Sequence, residues 1–246
     1  MALAHERYAE VVHRLAGSQK SPTAVPAYTR FVNRPLGRRL AALGYLAGWT
    51  PDQVSLFSLA GSCAGLLVLC LAPIAWWLGL VVGGLLLLGY ALDSADGQLA
   101  RLTGTGGPAG EWLDHVTDQF RQSALHAAVL IYLVRSLPEL PPGGYLVPLA
   151  YGAVVSTRFL SQILAEQLRR GAGAPAVESA GADRRALLQL PADPGVLCLA
   201  FLLAGYPWVF YAGYSALFAA NTALAMASII RRRRELQRLP SRDRPA

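Results

Sequence analysis

Four carboxylates lie in one short stretch of the chain, at spacings that would group them on helices. Asp93 and Asp96 are three residues apart, and Asp114 and Asp118 are four apart, so each pair would share one helix face. Grouped carboxylate oxygens suit Mg²⁺, in particular where phosphates bind as well, and Mn²⁺ accepts the same ligands. The spacing indicates a divalent cation site, and the competing interpretation is four solvated acids at helix ends.

The segments around these acids would bring the two pairs together. Each pair borders a long apolar segment, and the sequence between them, LTGTGGPAG at positions 102–110, is short. A short link predicts two antiparallel neighbouring helices, with the end of one beside the start of the other. Ionisable groups at membrane depth are costly unless they are paired, which favours the cation site.

Small and basic residues complete the pattern around the acids. The stretch reads D-x2-D-G-x2-A-R-x8-G-x3-D-x3-D, with its fixed positions at Asp93, Asp96, Gly97, Ala100, Arg101, Gly110, Asp114 and Asp118. This string resembles, without a gap or a substitution, the signature of the CDP-alcohol phosphotransferase family, also called the CDP-alcohol phosphatidyltransferases. A looser resemblance extends over residues 28–230.

The resemblance implies a reaction in which an alcohol hydroxyl attacks the β-phosphate of a CDP-linked donor and CMP leaves. It implies that Asp93, Asp96 and Asp114 are metal ligands. It assigns Asp118 as the general base and as a ligand that could also touch a second metal, so that one or two ions would bind. Mg²⁺, with Mn²⁺ as the alternative, would neutralise the diphosphate, since phosphoryl-type transfer depends on positioning and charge neutralisation.

Four further motif positions are implied contacts of the CDP donor: Gly97, Ala100, Arg101 and Gly110. Gly97 and Gly110 present no side chain to obstruct a nucleotide, and Arg101 offers a guanidinium to a diphosphate. The alternatives are ordinary helix packing for the small residues and contact with lipid headgroups for Arg101.

The family resemblance also indicates the substrates and the setting. The usual donor is CDP-diacylglycerol, and the expected acceptor is a small phosphorylated alcohol, inositol phosphate or glycerol phosphate, as in phospholipid biosynthesis. A water-soluble CDP-polyol donor is the alternative. The resemblance implies a homodimer in a bacterial plasma membrane, in contact with membrane lipids and with no nucleic acid partner.

Three arginines are candidates for holding an acceptor phosphate. Arg158 stands inside an apolar segment, where an arginine is costly unless it faces a polar cavity. Arg184 and Arg185 precede the fifth apolar segment, and arginine makes forked contacts with phosphate. The alternatives are an ion pair between Arg158 and Glu166, and lipid headgroup contacts for Arg184 and Arg185.

The composition predicts an all-α integral membrane protein that positions these residues between its helices. Charged residues make up 15% of the 246 residues and hydrophobic residues 54%, whereas soluble domains carry about a quarter charged residues. Thr50 followed by Pro51 predicts the start of the first apolar helix. Apolar blocks of about bilayer length predict six transmembrane helices, at residues 53–71, 74–102, 110–135, 145–168, 186–205 and 208–230.

The remaining boundaries follow from the polar segments. Residues 1–27 have no long apolar run and are predicted to form a loose leader. Residues 28–50 mix arginines with large apolar residues, which predicts an amphipathic helix in the membrane interface or, alternatively, a soluble helix. The membrane domain spans residues 51–232, and residues 233–246 form a basic tail.

The distribution of arginines predicts the orientation. Basic residues lie in the second-to-third and fourth-to-fifth connections and in RRRR at 231–234, whereas the opposite connections carry almost none. By the positive-inside rule, both termini and the acidic connection are cytoplasmic. An even number of spans agrees with that orientation.

Two other classes of protein compete with the enzyme. In a cation transporter the acids would line an ion path, but they lie at one membrane edge, and the second half holds no inverted repeat of the motif. A non-catalytic membrane scaffold would leave the four aligned acids unexplained. The sequence therefore favours the enzyme.

Overall fold

The computed structural model describes residues 7–17, 25–174 and 186–239, and these residues contain helices and no strand. The all-α prediction is confirmed for them. The α-helices follow in chain order: α1 (Tyr8–Gly17), α2 (Arg34–Leu46), α3 (Pro51–Leu71), α4 (Trp76–Thr103), α5 (Pro108–Ser136), α6 (Pro142–Gly171), α7 (Pro194–Ala200) and α8 (Pro207–Leu236).

The first described helix replaces part of the predicted loose leader. α1 spans 10 residues, and its Val11 and Leu15 side chains are fully buried. These two residues lie one helical turn apart, and they pack in one cluster with Ala41 of α2 and Val54 of α3. The prediction of a loose leader is therefore wrong for residues 8–17, because an apolar pair at i and i+4 docks this short helix.

The helix predicted for residues 28–50 begins as a π-helix, Thr29–Asn33, that continues directly into α2. Its inner face is close to α4, since a Cβ on Gly37 would lie 2.8 Å from the Ser94 Cβ. Its large apolar side chains point away from the protein, with Phe31 62% and Leu43 52% exposed. These two faces suit a helix that packs on α4 and meets an apolar medium, and its place in the membrane interface stays a prediction.

Thr50 begins α3 as the sequence predicts. Its hydroxyl accepts a hydrogen bond from the Gln53 amide, and Gln53 Oε1 accepts one from the Thr50 amide, which completes a capping box. α3 then packs closely on α4, where a Cβ on Gly89 would lie 2.3 Å from Ser62 Oγ. Ser58 fixes this close approach, because its hydroxyl donates to the Gly89 carbonyl at 2.8 Å.

The helices that carry the acidic pairs do not pack side by side. α4 packs mainly against α2 and α3, and α5 packs against α3 and α6. The prediction that α4 and α5 are direct neighbours is therefore wrong for most of their length, because α3 is the shared packing partner of both. Their acidic side chains still reach each other, and the space between the two helices opens into a cavity.

The main core lies where α3, α4, α5 and α8 meet. Leu69, Val82 and Leu133 are fully buried in it. The rings of Tyr132 and Phe210 meet edge to face, with 5.3 Å between their centroids. This core packs the helices together on the side away from the acids. It therefore forms the closed end of the cavity between α4 and α5.

The predicted fifth span, residues 186–205, is not one helix. Its described residues hold two 3₁₀ turns, Leu190–Ala192 and Phe201–Leu203, on either side of α7. Pro191 and Pro194 explain the break, since proline lacks an N–H donor and starts helices more readily than it continues them. The apolar part of this segment is accordingly short.

Three described helices, α3, α4 and α8, are long and apolar enough to cross a membrane. α5 and α6 have 29 and 30 residues, or about 45 Å at about 1.5 Å per residue, but charged side chains interrupt their apolar character. α8 also continues past position 232, the predicted end of the membrane domain. The described residues support a membrane protein with three apolar candidate spans, and the six-span arrangement stays a prediction.

Candidate active site

Three of the four motif acids converge between α4 and α5. Asp93, Asp114 and Asp118 each place one possible ligand oxygen within 4.8 Å of the other two. Opposite ligands of an octahedral Mg²⁺ lie about 4 Å apart, since each bond is about 2.1 Å long. The three acids therefore fit a divalent cation with small adjustments of their side chains.

Asp96 lies in the same region but in a different environment. It is buried, with 5% of its surface exposed, and its Oδ2 accepts a hydrogen bond from Ser55 Oγ of α3. Its Oδ1 accepts one from the Gly97 amide. Metal ligation by Asp96 stays a prediction. One of its oxygens would then bind the ion while it also accepts its hydrogen bond from the protein.

Arg121 is the basic partner of the acids, and it stands outside the motif. Its Nη2 lies 2.8 Å from Asp93 Oδ1, and its Nη1 lies 3.3 Å from Asp118 Oδ1. A third contact comes from α3, where Ser58 Oγ accepts a hydrogen bond from Nη2 at 3.0 Å. Side chains of three helices thus hold one guanidinium within the site.

Arg121 was not among the site residues predicted from the sequence, although its spacing carries a signal. Arg121 follows Asp118 by three residues, the separation of an ion pair on one helix face. Its side chain is only 12% exposed. A buried charge is costly unless it is paired. An arginine at the start of the long apolar part of α5 therefore predicts acidic partners on a neighbouring helix.

The four positions predicted to contact the donor lie around the same end of the two helices. A Cβ on Gly97 would lie 3.4 Å from Arg101 Nη1, so the glycine leaves room beside this guanidinium. Gly110 has open space around it in the first turn of α5. Arg101 is exposed and Ala100 is half-buried. These positions leave space for a ligand, and their contact with a CDP group stays a prediction.

A cavity of about 1060 Å³ opens beside the acids. Asp93, Asp118 and Arg121 line one part of it, and it extends to Arg158 of α6. This volume is slightly above about 300–1,000 Å³, the range typical of sites for small molecules. The cavity can therefore hold a ligand with several charged groups next to the acids.

Arg158 lines this cavity, as expected for an arginine inside an apolar segment. Its Nη1 donates to Asn221 Oδ1 of α8 at 3.4 Å. Glu166, the alternative partner considered for it, instead bonds to Arg170 on the next turn of α6. The alternative of an Arg158–Glu166 ion pair is therefore wrong, and Arg158 remains available to the cavity.

Two arginines of the RRRR run at 231–234, which was used to predict the orientation in the membrane, line the same cavity. Arg231 and Arg232, from the basic run at the end of α8, face it together with Arg158. Arg232 Nη1 is buried without a hydrogen-bond partner among the described residues, and an anionic ligand would satisfy such a donor. Arg184 and Arg185, the other predicted phosphate ligands, lie outside the described residues.

An aromatic and amide network lines the inner side of the cavity. His126 Nδ1 shares a hydrogen bond with the Tyr214 hydroxyl, and 4.5 Å separate the ring centroids of His126 and Tyr151. Asn221 Nδ2 donates to the Tyr151 hydroxyl at 2.8 Å. The network satisfies polar groups that would be costly to bury alone, and it orients the amide that contacts Arg158.

A second network joins the N-terminal segment to the cavity wall. Asp193 is 1% exposed, and it accepts hydrogen bonds from the Thr29 amide at 2.8 Å and the Thr29 hydroxyl at 2.9 Å. Thr29 Oγ1 lies 2.7 Å from the Tyr90 hydroxyl, and Tyr90 precedes Asp93 by nearly one turn of α4. This Asp193–Thr29–Tyr90 clasp fixes the segment before α2 at the site.

Comparisons with known proteins agree with the acidic motif. The fold is similar to that of phosphatidylinositol phosphate synthase from Mycobacterium tuberculosis, solved with CDP-DAG bound, with a TM-score of 0.55, 20% identity, and 87% of this chain and 98% of that chain covered. At this identity the likeness concerns the fold. No curated protein matches the sequence significantly. The model of the CDP-alcohol phosphatidyltransferase family matches residues 49–230, which include every motif residue and most of the chain, and the protein belongs to that family.

Proposed function

We propose that the protein is a membrane phosphatidyltransferase of phospholipid biosynthesis. It moves a phosphatidyl group from CDP-diacylglycerol to the hydroxyl of a small phosphorylated alcohol and releases CMP. The observation that carries this proposal is the convergence of Asp93, Asp114 and Asp118. Asp93 and Asp118 of this group line a cavity that extends to Arg158. A metal site for a diphosphate and an arginine for a second phosphate then face one space, which suits transfer to a phosphorylated acceptor.

The acids supply the metal site and the base. Asp93, Asp114 and Asp118 would hold Mg²⁺, or Mn²⁺ as the alternative, with Asp96 as the fourth ligand. A bound divalent cation neutralises the charge of the diphosphate as CMP departs. Asp118, which lines the cavity, takes the proton of the acceptor hydroxyl. The acceptor oxygen bonds to the β-phosphorus, the bond from that phosphorus to the bridging oxygen breaks, and CMP keeps the bridging oxygen.

The donor is placed at the end of α4 and the start of α5. The positions proposed to contact it are Gly97, Ala100, Arg101 and Gly110, of which Gly110 has open space around it and Arg101 is exposed. A lipid donor also needs apolar surface nearby, and Trp112 and Val116 of α5 are 66% and 44% exposed. This surface favours CDP-diacylglycerol over a water-soluble CDP-polyol, and the structurally similar synthase was solved with that lipid donor.

The acceptor phosphate is placed at Arg158. Arg231 and Arg232 add positive charge to the same cavity, and Arg184 and Arg185 complete the proposed set. Several guanidiniums favour an acceptor with its own phosphate, since charge-assisted bonds to phosphate are about twice as strong as neutral ones. Inositol phosphate and glycerol phosphate have both the phosphate and the hydroxyl that the reaction needs.

The membrane arrangement is part of the proposal. Three helices, α3, α4 and α8, are long and apolar enough to cross the membrane. The helices α5 and α6 are also long enough, but their charged side chains line the cavity. With the segment around α7 they make six spans, and both termini then lie in the cytoplasm of a bacterial cell. A homodimer in the plasma membrane is proposed from the family alone.

An acceptor and donor screen tests the proposal. The purified protein is incubated with CDP-diacylglycerol and, in turn, with inositol phosphate, glycerol phosphate and serine. We expect CMP and an anionic lipid product with a phosphorylated acceptor and little product with serine, because serine lacks the phosphate that Arg158 would bind. Turnover of CDP-glycerol or CDP-inositol in place of the lipid donor would establish the soluble-donor alternative.

A further inference from the structure

Two arginines of the cavity are held by neutral amides. Arg158 Nη1 donates to Asn221 Oδ1 at 3.4 Å, and Arg232 Nη2 donates to Gln162 Oε1 at 3.1 Å. All four side chains line the cavity. Among the described residues, no acid forms an ion pair with either guanidinium. Gln162 follows Arg158 by four residues, so both contacts lie on one face of α6.

Other arginines of the same cavity have acidic partners. Arg170 Nη1 lies 2.8 Å from Glu111 Oε1, and Arg231 Nε lies 3.7 Å from Glu235 Oε1. A carboxylate partner offsets the charge of a guanidinium, whereas a neutral amide orients it through a hydrogen bond and leaves its charge in place. The two arginines held by amides therefore keep their positive charge for another anion.

The Asn221 amide is fixed in one orientation. It is buried, and its Nδ2 donates to the carbonyls of Pro191 and Leu217 at 2.6 and 3.0 Å. The same nitrogen donates to the Tyr151 hydroxyl at 2.8 Å. Carbonyl oxygens only accept hydrogen bonds, so the nitrogen must face them and Oδ1 must face Arg158. The network therefore places an uncharged acceptor beside this guanidinium.

We propose that Asn221 and Gln162 are positioning residues that orient Arg158 and Arg232 without neutralising them, so that this part of the cavity selects a phosphorylated ligand. The buried Nη1 of Arg232, which has no hydrogen-bond partner among the described residues, would then bind an oxygen of that ligand. This inference rests on the proposed function and deepens it, because it names the side chains that select the phosphate of the acceptor.

Two variants of Gln162 test the inference. This side chain is exposed, so its variants should fold. Gln162→Glu keeps the length of the side chain but places a carboxylate beside Arg232. It should raise KM for the phosphorylated acceptor by about tenfold or more, with KM for CDP-diacylglycerol unchanged. Gln162→Ala leaves the charge of Arg232 in place and should raise KM for the acceptor by about threefold at most. If Gln162 only held the guanidinium in place, the order would be reversed, since a carboxylate holds it better than alanine does.

Two further variants control the result. Gln167→Glu makes the same charge change on α6, but Gln167 lines the groove between α5 and α6 and not the cavity, so the kinetics should not change. Asn221→Ala should lower kcat/KM for the acceptor in the wild type and add little to Arg158→Ala, because it acts through Arg158. If Asn221→Ala does not fold, the Gln162 series decides alone.

Calorimetry with glycerol phosphate and inositol phosphate, without donor or metal, separates the inference from the proposed function. We expect Gln162→Glu to bind the phosphorylated ligand about tenfold more weakly than the wild type and Gln167→Glu do. Wild-type KM and affinity in Gln162→Glu would overturn the inference and leave the proposed function intact. A wild type that binds the ligand with this dependence on Gln162 but releases no CMP would contradict the proposed function alone. A wild type that neither binds nor turns over a phosphorylated acceptor would contradict both.

Discussion

Asp96 is the most buried of the four motif acids. Ser55 Oγ and the Gly97 amide each donate to one of its oxygens, and it is buried. Removing a donor that orients a ligating carboxylate typically costs about ten- to a hundredfold in metal affinity or activity. If Asp96 binds the ion, removing the Ser55 hydroxyl should therefore lower the metal-dependent activity.

The first prediction concerns this contact. Asp96→Asn should lower kcat/KM for CMP release by about a hundredfold or more, a loss typical of a preorganised electrostatic group. Ser55→Ala should lower it by about ten- to a hundredfold. Combining Asp96→Asn with Asp114→Asn should cost far less than the product of the two losses, because the acids act as a unit. Steady-state kinetics measure these effects, with Ser123→Ala at an exposed site as the control, and a fully active Asp96→Asn would exclude ligation by Asp96.

The second prediction concerns the acceptor. Arg158→Ala should lower kcat/KM for the acceptor by roughly ten- to a hundredfold, since a charged hydrogen bond is worth about 1.5–3 kcal/mol. Arg158→Lys should recover only part, because an ammonium lacks the forked geometry. Donor and acceptor concentrations are varied separately. Glu166→Gln is the matched control, and a loss there equal to that of Arg158→Ala would contradict the acceptor role.

At the residue scale, the sequence predicts which residues of one helix share a face. Asp114 and Asp118 share a helix face because they are four residues apart, and together they meet Asp93 of α4. Arg121 shares a helix face with Asp118, but its contacts with Asp93 and Ser58 cross to other helices. Asn221 likewise contacts Tyr151 and Arg158 of α6. Their roles depend on which helices meet, and only the folded chain determines that.

At the element scale, the Asp193–Thr29–Tyr90 clasp joins three segments that are distant in the sequence. Asp193 lies just before α7, Thr29 begins the π-helix, and Tyr90 lies on α4. The buried Asp193 carboxylate depends on these donors, because a buried charge without partners is costly. The clasp therefore stabilises the cavity wall as well as the N-terminal segment.

The third prediction tests the clasp by stability. Thr29→Val keeps the side-chain volume but removes the hydroxyl, which should cost about 1–3 kcal/mol. For a chain of this size that corresponds to a fall in apparent Tm of about 2–12 °C. Thr29→Ser retains the hydroxyl and should stay near the wild type. Thermal unfolding in detergent measures both, and a Thr29→Val protein with the wild-type Tm would show that the clasp adds no stability.

Local signals predicted some elements well and others poorly. The Thr50 cap fixed the start of α3, because capping is a property of a few adjacent residues. Val11 and Leu15 carried the signal for α1, but two apolar residues specify a helix only when a partner surface exists. The break around Pro194 follows from proline chemistry. The separation of α4 from α5 could not be predicted, because a short link fixes the distance between helix ends and not the packing along them.

At the scale of the whole molecule, the acids and the arginines occupy different parts of one cavity. The acids approach it from α4 and α5, and Arg158, Arg231 and Arg232 approach it from α6 and α8. The apolar side chains that point outward, such as Leu67 and Leu160, are 59% and 64% exposed, as expected for a surface that faces lipid. A charged interior inside an apolar exterior suits a reaction between a lipid and a water-soluble acceptor.

The fourth prediction concerns the orientation of this molecule in the membrane. Gly106 lies in the link between α4 and α5, and Pro141 lies just before α6, so α5 separates the two positions. In a chain without its native cysteines, a membrane-impermeant maleimide should label Pro141→Cys in intact cells and Gly106→Cys only after permeabilisation. Labelling of Gly106→Cys from outside would overturn the proposed orientation.

The most direct test of the account is the dependence of CMP release on the metal and on one acid. Purified wild-type protein and Asp114→Asn are supplied with CDP-diacylglycerol and a phosphorylated acceptor, with Mg²⁺ and after chelation. CMP release by the wild type with Mg²⁺, and a loss of at least about a hundredfold on chelation or in Asp114→Asn, is the predicted result. CMP release that is indifferent to the chelator, or that persists in Asp114→Asn, would contradict a metal-dependent transfer at this site.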